Sequence, residues 1–202
     1  EGARAGDIYN TVTKELVEGK QGVRVVNCAY QLNYIEWLPR GSGNGAPIHV
    51  YTATDEIPET QRGDDSKDYI VDGSGRYLER TAQHYVLIIS DEGITQQALL
   101  SMKSTQFKKS KAWNSAMKAI KMKNTRGGFF TPPRFSHTWE LKTTTEENKN
   151  GSWHGWEIKK EGPIEDVDLY QEARNFAHSI GAGEVKVQHK QEDERPSDEV
   201  PF

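Results

Sequence analysis

Between Met102 and Lys142 the chain carries ten cations, Lys103, Lys108, Lys109, Lys111, Lys118, Lys121, Lys123, Arg126, Arg134 and Lys142, against a single acid, Glu140. Aromatic rings run through the same stretch: Phe107, Trp113, Phe129, Phe130, Phe135 and Trp139. Flat rings stack on unpaired bases and cations follow a phosphate backbone, so this mixture suits single-stranded nucleic acid. Each stacked base contributes about 1–3 kcal/mol, and the phosphate contribution weakens with salt.

Other chemistries have weaker signals. Trp139-Glu140-Leu141-Lys142 and Trp156-Glu157-Ile158-Lys159 each hold Glu-x-Lys in a strand-like run. Metal-dependent nucleases of the restriction type use an Asp followed by that tripeptide, the carboxylates holding Mg²⁺ and the Lys steadying a hydroxide. Two equivalent copies, with alternating signs, fit the wet face of a hairpin better. The six histidines form no HExxH, no Cys/His set has zinc spacing, and no serine nucleophile elbow occurs. Asp64, Asp65 and Asp68 lack a fixed spacing and read as a solvated loop. The glycines of Pro39–Pro47 lack the Gly-Lys-Ser/Thr of a nucleotide loop. The expectation is a non-enzymatic protein with no metal and no cofactor.

These residues need elements to hold them. At 202 residues, 34% hydrophobic and 28% charged, the chain has room for one packed domain and tails. Its net charge of -4 argues against a uniformly basic nucleic-acid binder, so the segregation of charge matters more than its sum. The lone Cys28 excludes an internal disulfide and, in an apolar run, reads as a buried inert thiol. No apolar stretch approaches the ~20 residues that cross a bilayer, so no membrane is expected.

Alternation predicts strands over Gly22–Leu38, Ile48–Thr52, Tyr77–Ser90 and Ile94–Met102, and a hairpin of Arg134–Thr143 with Ser152–Lys160 around a loop at Thr144–Gly151. In that hairpin Arg134, Ser136, Thr138 and Lys142 share a face that looks wet. Asp55–Gly75 reads as a long loop and Phe129–Pro133 as an exposed aromatic one. Helical spacing predicts a helix over Ser104–Met122, capped by Ser104 or Thr105, with Trp113, Ala116, Met117 and Ile120 inward. A second helix over Asp166–Ile180 puts Val167, Tyr170, Ala173, Phe176, Ala177 and Ile180 inward. Glu184–His189 reads as a last short strand. The fold expected is mainly β with two helices (α+β), an OB-fold-like (oligonucleotide-binding) barrel with helical additions. It spans residues 1–189 and is followed by a disordered acidic C-terminal tail, 190–202.

That tail contains Asp198-Glu199-Val200-Pro201-Phe202. It resembles the tip of bacterial single-stranded-DNA-binding proteins, an acidic run followed by Ile-Pro-Phe, with Val200 in place of Ile. The resemblance implies a docking peptide for replication or recombination proteins, the Phe202 ring and carboxylate entering a basic-rimmed apolar pocket. The body lacks the strand motifs of the cellular family. Its texture, including GDIYNT at Gly6–Thr11 and MKSTQFKKSKAWNSAM at Met102–Met117, is similar to phage-encoded proteins of this functional class. The resemblance implies single-stranded DNA as partner and the cytoplasm of the bacterial host as location. Lys103, Lys108, Lys109, Lys111, Arg126 and Arg134 are the expected phosphate contacts, with Arg40 as a further clamp. Tyr34, Phe129, Phe130 and Trp139 are the expected stacking rings. An RNA-binding or transcription-associated adaptor is the alternative beside the nuclease, and a homo-oligomer stays open.

Overall fold

The computed structural model describes residues 2–149, 151–185 and 187. The expected tail with its docking tip, Asp198 to Phe202, and the boundary at residue 189 lie outside the described residues. The chain is mainly β with two helices. It divides into two compact units, one formed by Glu1–Gln31 with Ala82–Val185, the other built on Leu32–Thr81. Strands β3 (Val23–Trp37) and β7 (Tyr77–Ile89) supply residues to both.

The first unit opens with a small hairpin, β1 (Ile8–Tyr9) with β2 (Leu16–Val17). Its sheet joins β12 (Gly151–Pro163), β11 (His137–Asn148), β3 and β7, with β8 (Thr95–Lys103) on β7. β11 and β12 pair from His137↔Pro163 to Asn148↔Gly151. The expected loop at Thr144–Gly151 is therefore mostly strand, because the Thr- and Glu-rich run Thr143–Glu147 pairs in full across the hairpin. At the other end the strand starts late: Arg134–Ser136 is a 3₁₀ turn.

Val25, Val26, Asn27 and Cys28 are buried consecutively, so β3 is covered on both faces here. Helix α1 (Phe107–Ala119) covers the face that carries Val25, Asn27, His84 and Trp139. Helix α2 (Val167–Gly181) buries Ala173, Phe176 and Ile180, and its Glu172 carboxylate acts on the Cys28 thiol of the opposite face. Burial drives that thiol up to about 12, as expected of an inert cysteine.

Details of the helices differ from expectation. α1 follows a 3₁₀ turn (Ser104–Gln106), and its N-cap, Gln106, makes no side-chain cap. Ser104 has φ of 49°, which excludes it from the extended capping geometry. Ala116 is exposed, while Ser110 joins Phe107, Trp113 and Met117 on the buried face. Asp166 caps α2 through bonds from the amides of Asp168 and Leu169, and this leaves Val167 in the first turn, 78% exposed.

The second unit holds the end of β3, β4 (His49–Thr52), β5 (Thr60–Arg62), β6 (Asp68–Ile70) and the start of β7. Its core is Ile35, Trp37 and Tyr77, with Val50 and Tyr69 against them. The expected loop Asp55–Gly75 thus contains a hairpin, β5 with β6, whose three-residue strands are too short for an alternation to be read. Buried Glu36 accepts bonds from Arg76 at 2.6 Å and Tyr51 at 2.8 Å, so its charge is compensated.

Candidate nucleic-acid interface

The amphipathic spacing of α1 divides its residues sharply. Phe107, Ser110, Trp113 and Met117 face the sheet, leaving Lys108, Lys111 and Lys118 in solvent. Lys108 and Lys118 make no ion pair among the described residues. Lys111 sits 5.2 Å over the Phe107 ring. Lys109 is half-buried and bound to the Glu146 carboxylate, which lowers that acid's pKa. Lys103, at the end of β8, is half-buried and has partners of its own. The side chains of Lys103 and Lys109 are therefore less available to a ligand than the sequence suggested.

Beyond α1 the chain forms a two-stranded arm, β9 (Met122–Lys123) with β10 (Phe129–Phe130), in the register Phe129↔Lys123 and Phe130↔Met122. The expected aromatic loop is exposed, with Phe129 at 73% and Phe130 at 43%, but it is half of this hairpin. Asn124 organises the turn. Its Oδ1 accepts from the amides of Arg126 at 3.0 Å and Gly128 at 2.9 Å. Gly127, with φ of 83°, supplies the left-handed residue the turn needs. Arg126 is carried exposed at the tip.

Two expected contacts are corrected. Trp139 is only 2% exposed and packs edge-on to Trp113 at 5.9 Å, so no base can reach its ring. Arg134 is half-buried, donating to Asn114 at 2.7 Å and lying 5.4 Å over the Tyr30 ring. Burial presses the pKa of its guanidinium below the ordinary value. It stands in a 3₁₀ turn, and Ser136 and Thr138 are buried, so the wet face expected there is absent. Tyr34 and Arg40 belong to the other unit. Tyr34 is half-buried opposite Tyr51 in the β3–β4 pair, and Arg40 is exposed in the glycine loop.

Sequence reasoning missed a buried polar chain. Asn27 meets His84 Nδ1 at 2.9 Å, and His84 Nε2 meets Ser110 Oγ at 2.8 Å. All three residues are fully buried. Arg134 approaches Asn27 Oδ1 at 3.5 Å, which directs the amide nitrogen of Asn27 to His84. Asn27 then donates to Nδ1, and the proton on Nε2 is given to Ser110. A serine nucleophile requires the opposite polarity, with the imidazole accepting from the hydroxyl. Burial, helped by the Arg134 charge, takes His84 down to about 3 and keeps it neutral. The chain is structural, and Ser110 in an otherwise apolar helical stripe was its one sequence signal.

The two Glu-x-Lys tripeptides face each other across β11 and β12, Glu140 opposite Lys159 and Lys142 opposite Glu157. Lys142 also binds Glu140 at 2.8 Å. The four charges neutralise one another in a cross-strand ladder. Among the described residues no group of three or more His, Cys, Asp or Glu is placed to hold a metal ion. A shallow depression beside α2, lined by Gln97, Asp168, Glu172 and Asn175, carries the wrong charge for phosphate.

Residues 1–186 match the family described as Pam3 phage gp34-like protein. The chain belongs to that family and is a phage protein. No curated protein and no solved structure matches it.

Proposed function

For this member of a phage family we propose a non-enzymatic single-stranded-DNA-binding protein. It coats and protects unpaired strands in replication or recombination, in the cytoplasm of the infected host. The observation that carries the reading is the α1–arm segment. From Lys103 to Trp139 there is no acid, its lysines at 108, 111 and 118 face solvent, and Phe129 and Phe130 stand exposed beside Arg126. Cations at that density attract a polyanion, and exposed rings offer bases a surface to stack on. In this reading the β-rich body is a variant of the oligonucleotide-binding type, and Tyr34 and Arg40 stay candidate contacts of the other unit. Recruitment of replication or recombination proteins through Asp198, Glu199, Val200, Pro201 and Phe202 is part of the proposal and rests on sequence alone.

Fluorescence titration with labelled oligo-dT and a duplex of equal length, each at 50 and 200 mM salt, tests it. Tighter binding of oligo-dT, weakening with salt, is expected. Equal affinity for the two, or no response to salt, would overturn the reading. Preference for oligo-U over oligo-dT favours the RNA adaptor. Strand breaks on adding Mg²⁺ that vanish in Glu157→Gln favour the nuclease. Deleting residues 198–202 is expected to leave oligo-dT binding intact and to abolish capture of host replication proteins.

A further inference from the structure

The two rings of the arm lie on opposite sides of it. Successive residues of a strand alternate faces, so Phe129 shares one face with its partner Lys123 and Phe130 shares the other with Met122. Both rings are exposed. A single strand passing along one side of the ribbon reaches only one of them. Two strands diverging around the ribbon reach both.

The arm is also built to be stiff. Asn124 donates its amide to the carbonyl of Gly128 at 2.8 Å and accepts two amides through its side chain. At the base Lys121 Nζ donates to Thr131 Oγ1 at 2.5 Å, the next position of the same register. A pre-organised hairpin loses little entropy on insertion. Lys121, Lys123 and Arg126 flank the rings, and the absence of any acid between Lys103 and Trp139 leaves their charge uncancelled within the segment.

We propose that the β9–β10 arm is a wedge for the junction where duplex opens into single strands. Phe129 with Lys123 holds one departing strand, stacking on its first unpaired base and pairing with its phosphate. Phe130 with Met122 packs against the first base of the other strand, and Arg126 reaches the last base pair's phosphates. An apolar side chain driven into intact duplex must unstack a base step. At a fork that step is already open, so the arm selects the fork over duplex and over a lone strand. This inference rests on the nucleic-acid reading above and names its substrate.

The test compares oligo-dT, blunt duplex, and a forked duplex whose two dT arms each equal the oligo in length. The fork is expected to bind about tenfold tighter than oligo-dT, the gain of one further stacked ring. In Phe129→Ala/Phe130→Ala the ratio of fork to oligo-dT affinity falls toward one. Both side chains are solvent-exposed, so an unchanged thermal midpoint shows the variant is folded. Equal binding of fork and oligo-dT by the wild type, or a ratio untouched by the double substitution, overturns the wedge while leaving single-strand binding in place. Absence of salt-dependent binding to any of the three DNAs overturns both readings.

Discussion

Arg126 and Arg134 are eight residues apart in one basic, aromatic segment, and they meet opposite surroundings. Arg134 is drawn under α1 to satisfy Asn114 and Asn27, beside a core of Trp113, Trp139 and His84. Arg126 projects from a turn whose hydrogen-bonding needs Asn124 has already met, next to two uncovered rings. Both regions are built of guanidinium, amide and aromatic groups. One uses them to hold the fold together, and the other leaves them exposed to solvent. Residue type therefore does not tell a buried group from an exposed one here; the intramolecular partner already present does.

The sharpest way to break this contrast is to remove a ring from each region. Trp113→Ala should cost about 3–5 kcal/mol in urea unfolding, as deletion of a large buried ring does. Phe129→Ala should stay within about 0.5 kcal/mol of the wild type. A large loss from the Phe129 variant would mean that the arm is part of the core.

The cations come next. Arg134→Ala should destabilise by about 2–3 kcal/mol, because the Asn114 and Asn27 carbonyls lose their donor in a partly buried site. Its salt dependence of oligo-dT binding should match the wild type. Arg126→Ala should do the reverse, keeping stability and lowering the slope of log affinity against log salt by about 0.7. The same slope change is expected for Lys108→Ala and for Lys118→Ala, measured one at a time. If Arg134→Ala alone flattened the slope, the two regions would have been assigned the wrong way round.

A smaller effect is in pH. His84 is held near 3 in the folded chain against an ordinary value of 6.5. The unfolded chain therefore binds the proton first, and stability falls as pH drops from about 6.5 toward 3. His84→Gln removes that component, so urea midpoints at pH 7 and pH 4.5 should lie closer together than in the wild type. Least visible of all, Cys28 should react with a thiol reagent only after unfolding, since burial raises its pKa to about 12. Labelling of the native protein at neutral pH would show that the strand beneath α2 opens.

Much of the framework could be read from pattern. The long strands at Val23–Trp37 and Tyr77–Ile89, the two helices and the β11–β12 hairpin follow from apolar periodicity, and each falls within a few residues of its expected span. What failed did so for local reasons. The β5–β6 hairpin consists of three-residue strands too short to show an alternation, and Thr144–Glu147 pairs without an apolar face. Val167 fits the helical stripe of α2, yet the Asp166 cap fixes the helix start and turns that residue outward. On the candidate site, Lys108, Lys111, Arg126, Phe129 and Phe130 are exposed. Trp139 and Arg134 are not, and nothing in their own neighbourhood of sequence distinguishes them.

The sequence by itself determined where cations and rings concentrate and which segments have a face to bury, because charge and periodicity are local properties of the chain. Only the tertiary structure decided which of those rings and cations are already occupied. That depends on what packs opposite: Ser110 and His84 from distant segments close over Asn27, and Asn114 reaches Arg134, whereas nothing among the described residues covers Phe129. Burial is a property of pairs brought together from far apart in the chain, and no single stretch of residues carries it.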